Sequence, residues 1–401
     1  MQICGVVSEY NPFHKGHAHQ IAAAKAALGE DCAVVCCMSS DFVQRGDAAI
    51  LPKHLRAKAA VLGGADVVLE LPAPYALRSA EGFAQSAVDI LLGTGVLTHL
   101  SFGAEDADAA LLRETASLLL EHQTVQDTLL HLKTGISYAA ARERALYARV
   151  KEKAEILQKP NNILAVEYCK ALQRRESQVE ILPITRVGAD HDGGANDGFA
   201  SASHIRELLR QGNWETALPY LPESTAAILK EAYEQGQLLL DTGRLENAML
   251  SALVRLDGAA LAALPDANEG LDNRLLEAIR KGRTIEEICG LAKTKRYALS
   301  RIRRMIFCAY LGITADESKT APAYARVLAF SDKGREVLKA ARKQATVPLI
   351  TKPAHAYDLG GDARVIFERE ALACDLYHLA LPGWRDLRWG ADWRQDALYV
   401  K

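Results

Sequence analysis

Ser8-Glu9-Tyr10-Asn11-Pro12-Phe13-His14-Lys15-Gly16-His17 is the stretch on which the fold of this chain turns. It follows an apolar run, Ile3 to Val7, that reads as a buried strand. It opens an Ala-rich run, Ala18 to Leu28, that reads as a helix. Two imidazoles, three residues apart, therefore sit where a first strand turns into a first helix. A helix N-terminus presents unpaired N–H groups and the positive end of the macrodipole, which together attract phosphate. His14 and His17 can add ring donors there. Gly16 removes a Cβ where the backbone must admit a ligand. The bland alternative is a surface turn carrying two solvated histidines.

Outward from this stretch, strands and helices alternate. Cys32 to Met38 reads as a fully buried second strand. It runs into a polar loop, Ser39 to Asp47, whose Gln44 and Arg45 would face a site at the strand's carboxyl end. Lys53 to Leu62 reads as a helix and Ala65 to Leu71 as a third strand. Ser79 to Leu92 reads as a helix and Leu97 to Phe102 as a fourth strand, followed by Gly103 and a helix from about Asp108 to Leu120. This alternation predicts an α/β fold with a parallel, doubly wound sheet. His122 to Lys159 is helical and charged, and we read it as an insertion covering the site. Pro160-Asn161-Asn162 then starts a helix, and Val179 to Leu182 is a fifth strand leading to Arg186. A loop of Gly, Asp, Asn and His spans Gly188 to Gly198. Ser201 to Arg206 combines hydroxyl groups with an Arg one turn in, a second phosphate-ready helix start that includes Ser203.

At 401 residues, two domains are expected, with a boundary near Gly212. From Trp214 onward the chain reads as mainly helical, with short strands at Val347–Ile350 and Val365–Phe367. Between Leu291 and Ile350 there are 13 basic and four acidic residues, a net +9 in a chain of net charge −2, so the remainder carries −11. Such asymmetry points to a polyanion-binding face. Trp384, Trp389 and Trp393 read as packing anchors of the tail.

No apolar stretch is long enough to span a bilayer. The first strand begins at about residue 2, leaving no room for a cleavable signal, so a cytoplasmic protein is expected. Eight scattered cysteines form no CxxC pair and lie largely in apolar runs, which favours buried free thiols over zinc or disulfides.

His14-Lys15-Gly16-His17 after a strand resembles the HxGH signature of the nucleotidyltransferase superfamily. VSEYNPFHKGH, FVQRGDAA, GADVVLELP, LSFGAE, KPNNILAVEY and ASASHIR, in that order, together resemble the tRNA(Met) cytidine acetate ligase family, as do KRYALSRIRRMIF and RVLAF further on. The resemblance implies a Rossmann-like nucleotidyltransferase domain over residues 1–212, with the helical insertion at about 122–159. It implies a mainly helical, basic-faced domain over 213–401 that binds tRNA. The implied chemistry is ATP plus acetate giving acetyl-adenylate and pyrophosphate, then acetylation of the wobble cytidine of elongator tRNA(Met). Mg²⁺ would accompany the triphosphate, with no dedicated protein metal site, and no protein partner is required. By the resemblance, His14, His17 and Arg206 carry catalysis. ATP would be lined by Val7, Ser8, Glu9, Tyr10, Asn11, Pro12, Phe13, His14, Lys15, Gly16, His17, Ala18, His19 and Gln20, with Gly103, Asn161, Arg186 and Ser203 beyond. Lys295, Arg296, Arg301, Arg303 and Arg304 are the candidate RNA contacts.

Two alternatives stay open at this point. A small-molecule adenylyltransferase would share the HxGH and SxSxIR sites without needing a basic C-terminal half. A non-catalytic RNA-binding protein would have a decayed nucleotide fold, against which intact His14, Gly16, His17, Ser203 and Arg206 argue.

Overall fold

Strand β1 (Ile3–Ser8) lies at the centre of the sheet because both of its faces are apolar. It pairs in parallel with β2 (Ala33–Ser39) on one side. A short antiparallel hairpin follows β2, made of β3 (Phe42–Val43) and β4 (Asp47–Ala48). The parallel sheet continues outward from β2 through β5 (Val67–Leu71). On the other side of β1 come β6 (His99–Ala104) and then β7 (Glu180–Thr185), both parallel. The computed structural model describes residues 1–186 and 198–401. The loop expected at Gly188 to Gly198 lies, apart from Gly198, outside the described residues.

The chain beyond residue 213 completes the sheet. β8 (Ala325–Phe330) adds antiparallel to β5, and β9 (Leu349–Ile350) and β10 (Leu398–Tyr399) add parallel to β8. The sheet is thus parallel-dominated with one reversed strand. Residues 365–367, expected as a strand, fall inside the helix Gly361–His378, where Ile366 and Phe367 supply its buried face.

Period-two alternation sorts the sheet into two cores. Ile3, Val35, Cys37, Leu69 and Leu71 face the helices Ala80–Gly93, Ala109–Leu120 and Pro160–Arg174. Cys4, Val6, Val34, Cys36 and Met38 face Lys15–Leu28, Lys53–Leu62 and Ala202–Arg210. A third core, built mostly from helices after residue 239, takes in Phe42 and Ala48 of the hairpin. All eight cysteines are free and buried.

The segment 122–159 forms the helices His122–Leu132 and Tyr138–Val150 and a 3₁₀ stretch, Lys151–Gln158. It lies beside the site and not over it. Leu146, Ile156 and Leu157 join the core under the sheet, so burying them draws the insertion against the neighbouring helices.

A cluster of buried charges ties the C-terminal segment to the sheet. Lys53 Nζ meets Glu70 at 2.5 Å, Glu370 at 2.8 Å and Asp392 at 2.5 Å. Arg326 joins Asp392 at 2.7 Å. Among the described residues these three carboxylates are the trio close enough to share a metal ion. The Lys53 ammonium contacts all three, so the cluster is an ion-pair core.

Candidate active site

The chain winds outward from β1 in both directions, to β2 and to β6, so the topological switch lies between β1 and β6. Ligands of open α/β sheets bind at the carboxyl ends of the strands at such a point. A cleft of about 330 Å³ opens there, between Val7 and Ser8 after β1 and Phe102 and Gly103 after β6.

Four helices begin at this cleft: Lys15–Leu28, Ala80–Gly93, Pro160–Arg174 and Ala202–Arg210. Their N-termini converge positive dipole ends on one volume. Ser201 caps the last of them through the N–H of His204, which leaves the Ser203 hydroxyl to the Arg206 guanidinium at 3.2 Å.

His14 is the N-cap of the first helix, which therefore starts three residues before the Ala-rich run suggests. Its Nδ1 accepts from the N–H of Gly16 at 3.1 Å, and the Nδ1 of His17 accepts from the N–H of His14 at 3.2 Å. An accepting Nδ1 carries no proton, so each neutral ring holds its hydrogen on Nε2. The rings stack, centroids 3.6 Å apart and 20° between planes. Tyr10 and Phe13 pack on the far side of His17, at 4.8 and 5.7 Å. Burial, then Arg186 and Arg206, push the His14 pKa down to about 3. Burial, then His14 and Arg186, hold His17 well below the ordinary imidazole range. Both are neutral donors at neutral pH.

Two guanidinium groups supply the charge. Arg206 donates to the carbonyl of Asn11 at 2.7 Å. Arg186 reaches Asn161 Oδ1 at 3.4 Å, and Asn161 Nδ2 donates to Glu105 at 2.6 Å. Burial lowers both arginine pKa values, yet both remain cations. Neither is in an ion pair with a described residue, so both are placed to receive an anion. Below them, fully buried Arg56 gathers the carbonyls of Glu9, Ser39, Ser40 and Leu51, fixing the loops around the cleft.

The model of the HIGH Nucleotidyl Transferase family matches residues 1–387. A tRNA(Met) cytidine acetate ligase of Thermosipho africanus is 35% identical over 423 residues, covering 99% of each chain. The chain belongs to the tRNA(Met) cytidine acetate ligase family. A member from Clostridium kluyveri is 37% identical over 382 residues, covering 90% of this chain and 92% of the other. Among solved structures, Thermotoga maritima TmcAL in its apo form superposes with a TM-score of 0.93 at 31% identity, over 100% of both chains. The same protein bound with alpha-thio ATP gives 0.91 at 30% identity, again over 100% of both.

The residues expected from this family's pattern divide by position. Val7, Ser8, Glu9, Tyr10, His14, His17 and Gln20 line the cleft, with Gly103, Asn161, Arg186, Ser203 and Arg206. Gly16 and His19 line an adjoining hollow of about 50 Å³. Asn11, Pro12, Phe13, Lys15 and Ala18 line neither. Asn11 Oδ1 accepts from Ile50 N–H at 2.9 Å, and buried Phe13 fills the space over Gly63, where a Cβ would come within 2.2 Å of its ring. Gln44 and Arg45 reach the cleft from the hairpin turn. The apolar wall of Phe83, Phe102, Ile163, Leu164 and Tyr168 escapes sequence reading; its one signal is that Phe102 lies in the LSFGAE block and Ile163, Leu164 and Tyr168 in the KPNNILAVEY block.

The basic face is thinner than its charge count. Arg304 is buried and bonded to Asp266 at 2.9 Å, Arg301 to Glu269 at 2.6 Å, and Arg326 belongs to the ion-pair core. Lys295 and Arg303 are exposed and Arg296 is half-buried. Trp393 packs on Phe367 at 4.7 Å and Tyr357 at 4.9 Å, while Trp389 is exposed. Among the described residues no helix is long and apolar enough to cross a membrane.

Proposed function

We propose that the protein joins acetate to ATP, forming acetyl-adenylate and pyrophosphate, and passes the acetyl group to the exocyclic amine of the wobble cytidine of elongator tRNA(Met). The observation that carries the reading is the stacked pair of neutral imidazoles beneath converging helix N-termini, in a chain of this family. In this reading, an acetate oxygen attacks the α-phosphorus and the bond to the β-phosphate oxygen breaks. The charge that grows on the departing pyrophosphate is met by the Nε2–H groups of His14 and His17, by Arg206, and by the backbone N–H groups of the first helix. Arg186 and Asn161 hold the nucleotide against Gly103, with the aromatic wall keeping water out. The cytidine amine then attacks the acetyl carbon, AMP leaves, and N4-acetylcytidine remains after loss of the amine proton.

Little covalent work falls to side chains, so positioning and charge supply most of the barrier reduction. Among the described residues, Glu9 is the one carboxylate lining the cleft, and it accepts from the Gln44 N–H at 2.9 Å. We assign Mg²⁺ to the phosphates and water, which suits a cation that keeps its hydration shell. Residues 213–401 would hold the tRNA by their exposed cations, and no second protein is called for.

The test is incubation with radiolabelled acetate, ATP and bulk tRNA, followed by nucleoside analysis. Labelled N4-acetylcytidine is expected. Pyrophosphate release with pantetheine phosphate or nicotinamide mononucleotide instead of acetate would overturn the reading in favour of a small-molecule adenylyltransferase.

A further inference from the structure

A second cavity, of about 600 Å³, lies behind the hairpin β3–β4. The same turn borders both volumes: Gln44 and Arg45 face the cleft, while Gly46 and Asp47 face the cavity. The helix Ala202–Arg210 does likewise, with Arg206 on the cleft and Arg210, one turn (~5.4 Å) further along, on the cavity. Gly46, at φ +74°, packs on the backbone of Arg303 and Arg304, where a Cβ would come within 2.6 Å of the Arg304 nitrogen. The partition between the two volumes is therefore one hairpin turn thick.

The walls of the cavity have two characters. Met249, Leu299, Ile306 and Phe307 make an apolar floor, and the cations Arg210, Lys293 and Arg303 stand around the rim. All three cations are exposed, and none is in an ion pair with a described residue. Of the three acids on the lining, Glu246 is engaged by the N–H of Ile285 at 2.9 Å and Asp47 by that of Ala48 at 2.9 Å, while Glu286 is exposed, so three cations stand against one exposed carboxylate. An apolar floor with exposed cations above it suits an unstacked base with its phosphates, the form in which RNA loops are read.

We propose that this cavity takes a nucleotide flanking the acetylated cytidine, its base on the Leu299–Phe307 floor and its phosphate among Arg210, Lys293 and Arg303. The proposal rests on the tRNA reading above and deepens it: recognition of the loop is divided between the cleft, which takes the target base, and the cavity, which takes its neighbour.

Gly290 gives a direct test, because it borders the cavity and a Cβ there meets nothing within 4 Å. Gly290→Trp should plug the cavity without disturbing the helix Ile285–Ala292, and Gly290→Ala should leave it open. Binding of a tRNA(Met) anticodon stem-loop, read by fluorescence anisotropy without ATP, should weaken at least tenfold in Gly290→Trp and in Lys293→Glu, and by less than twofold in Gly290→Ala. An abasic site on one side of the cytidine should weaken binding to the unsubstituted protein about tenfold and have little further effect in Gly290→Trp. Unchanged affinity in Gly290→Trp, at an unchanged melting temperature, overturns the proposal, as does an undiminished abasic penalty in that variant. Acetate-dependent pyrophosphate exchange, assayed without RNA, reports on the proposed function separately, so its failure is distinguishable from loss of the cavity's role.

Discussion

The backbone N–H of His14 donates to Nδ1 of His17 at 3.2 Å, which makes the second histidine of the signature the capping partner of the first. The helix thereby fixes the tautomer of the rings that the cleft uses. Protonating either Nδ1 breaks a cap and places a cation beside Arg186, so the folded site resists acid.

Adenylate formation should accordingly not depend on an imidazolium. Its rate should stay flat from about pH 7 to 9, where a required imidazolium with an ordinary pKa of about 6.5 would already be lost. A rate that declines with an apparent pKa near 7 would contradict the neutral-donor assignment.

Stability should fall as pH drops. His14, His17 and His54 all have folded pKa values lowered chiefly by burial. Between about 6.5, the unfolded value, and about 3, the unfolded chain binds protons that the folded chain refuses. His14 and His54, each held at about 3, can therefore each remove up to roughly 1.4 kcal/mol per pH unit across that window, and His17 acts in the same direction. Urea midpoints at pH 7 and 5.5 measure the effect, and His54→Leu should show a smaller difference between them.

The ion-pair core should behave in the opposite sense. With Lys53 and Arg326 set against three carboxylates, keeping one proton balances the charge. Burial, opposed by Lys53 and reinforced by Glu70 and Asp392, pushes Glu370 up to about 8. A carboxyl with a raised folded pKa loses stability for the protein as pH rises from about 4.5 towards 8. Lys53→Met should cost roughly 3–5 kcal/mol, because it leaves buried carboxylates unpaired. That cost should be smaller at pH 5.5 than at pH 8, as read from urea unfolding; an equal cost at both would show that the carboxylates do not titrate with the fold.

Arg303 and Arg304 are neighbours in sequence with different work. Arg304→Ala should destabilise by about 1–3 kcal/mol through the loss of Asp266's partner, with an unchanged salt slope of tRNA binding. Arg303→Ala should leave stability alone and reduce that slope by about one. Filter binding over a range of salt concentrations, beside unfolding curves, separates the two.

What the sequence reveals here is what neighbours in the chain settle among themselves. The turn from β1 into the first helix, the glycine between the histidines and the caps at Ser79, Asp108 and Ser201 are local. β8 escapes such reading, since a six-residue apolar strand within a helical region cannot be told from a buried helical turn by periodicity. Its place against β5 is set by packing from a distant part of the chain. The charge count around Arg301 and Arg304 was visible, but the carboxylates of Glu269 and Asp266 that neutralise them lie 32 and 38 positions away. The aromatic wall is assembled by tertiary packing alone: Phe83, Phe102 and Tyr168 come from two helices and a strand.

The most direct measurement is ATP–pyrophosphate exchange without RNA, with and without acetate, in the unsubstituted protein and in His17→Ala. Exchange should require acetate, and His17→Ala should slow it about 10²–10³-fold, the loss typical of one donor to a developing charge, while tRNA affinity stays within twofold. Exchange that proceeds equally well without acetate, or at full rate without the His17 ring, would contradict the assignment of the stacked imidazoles to acetate activation.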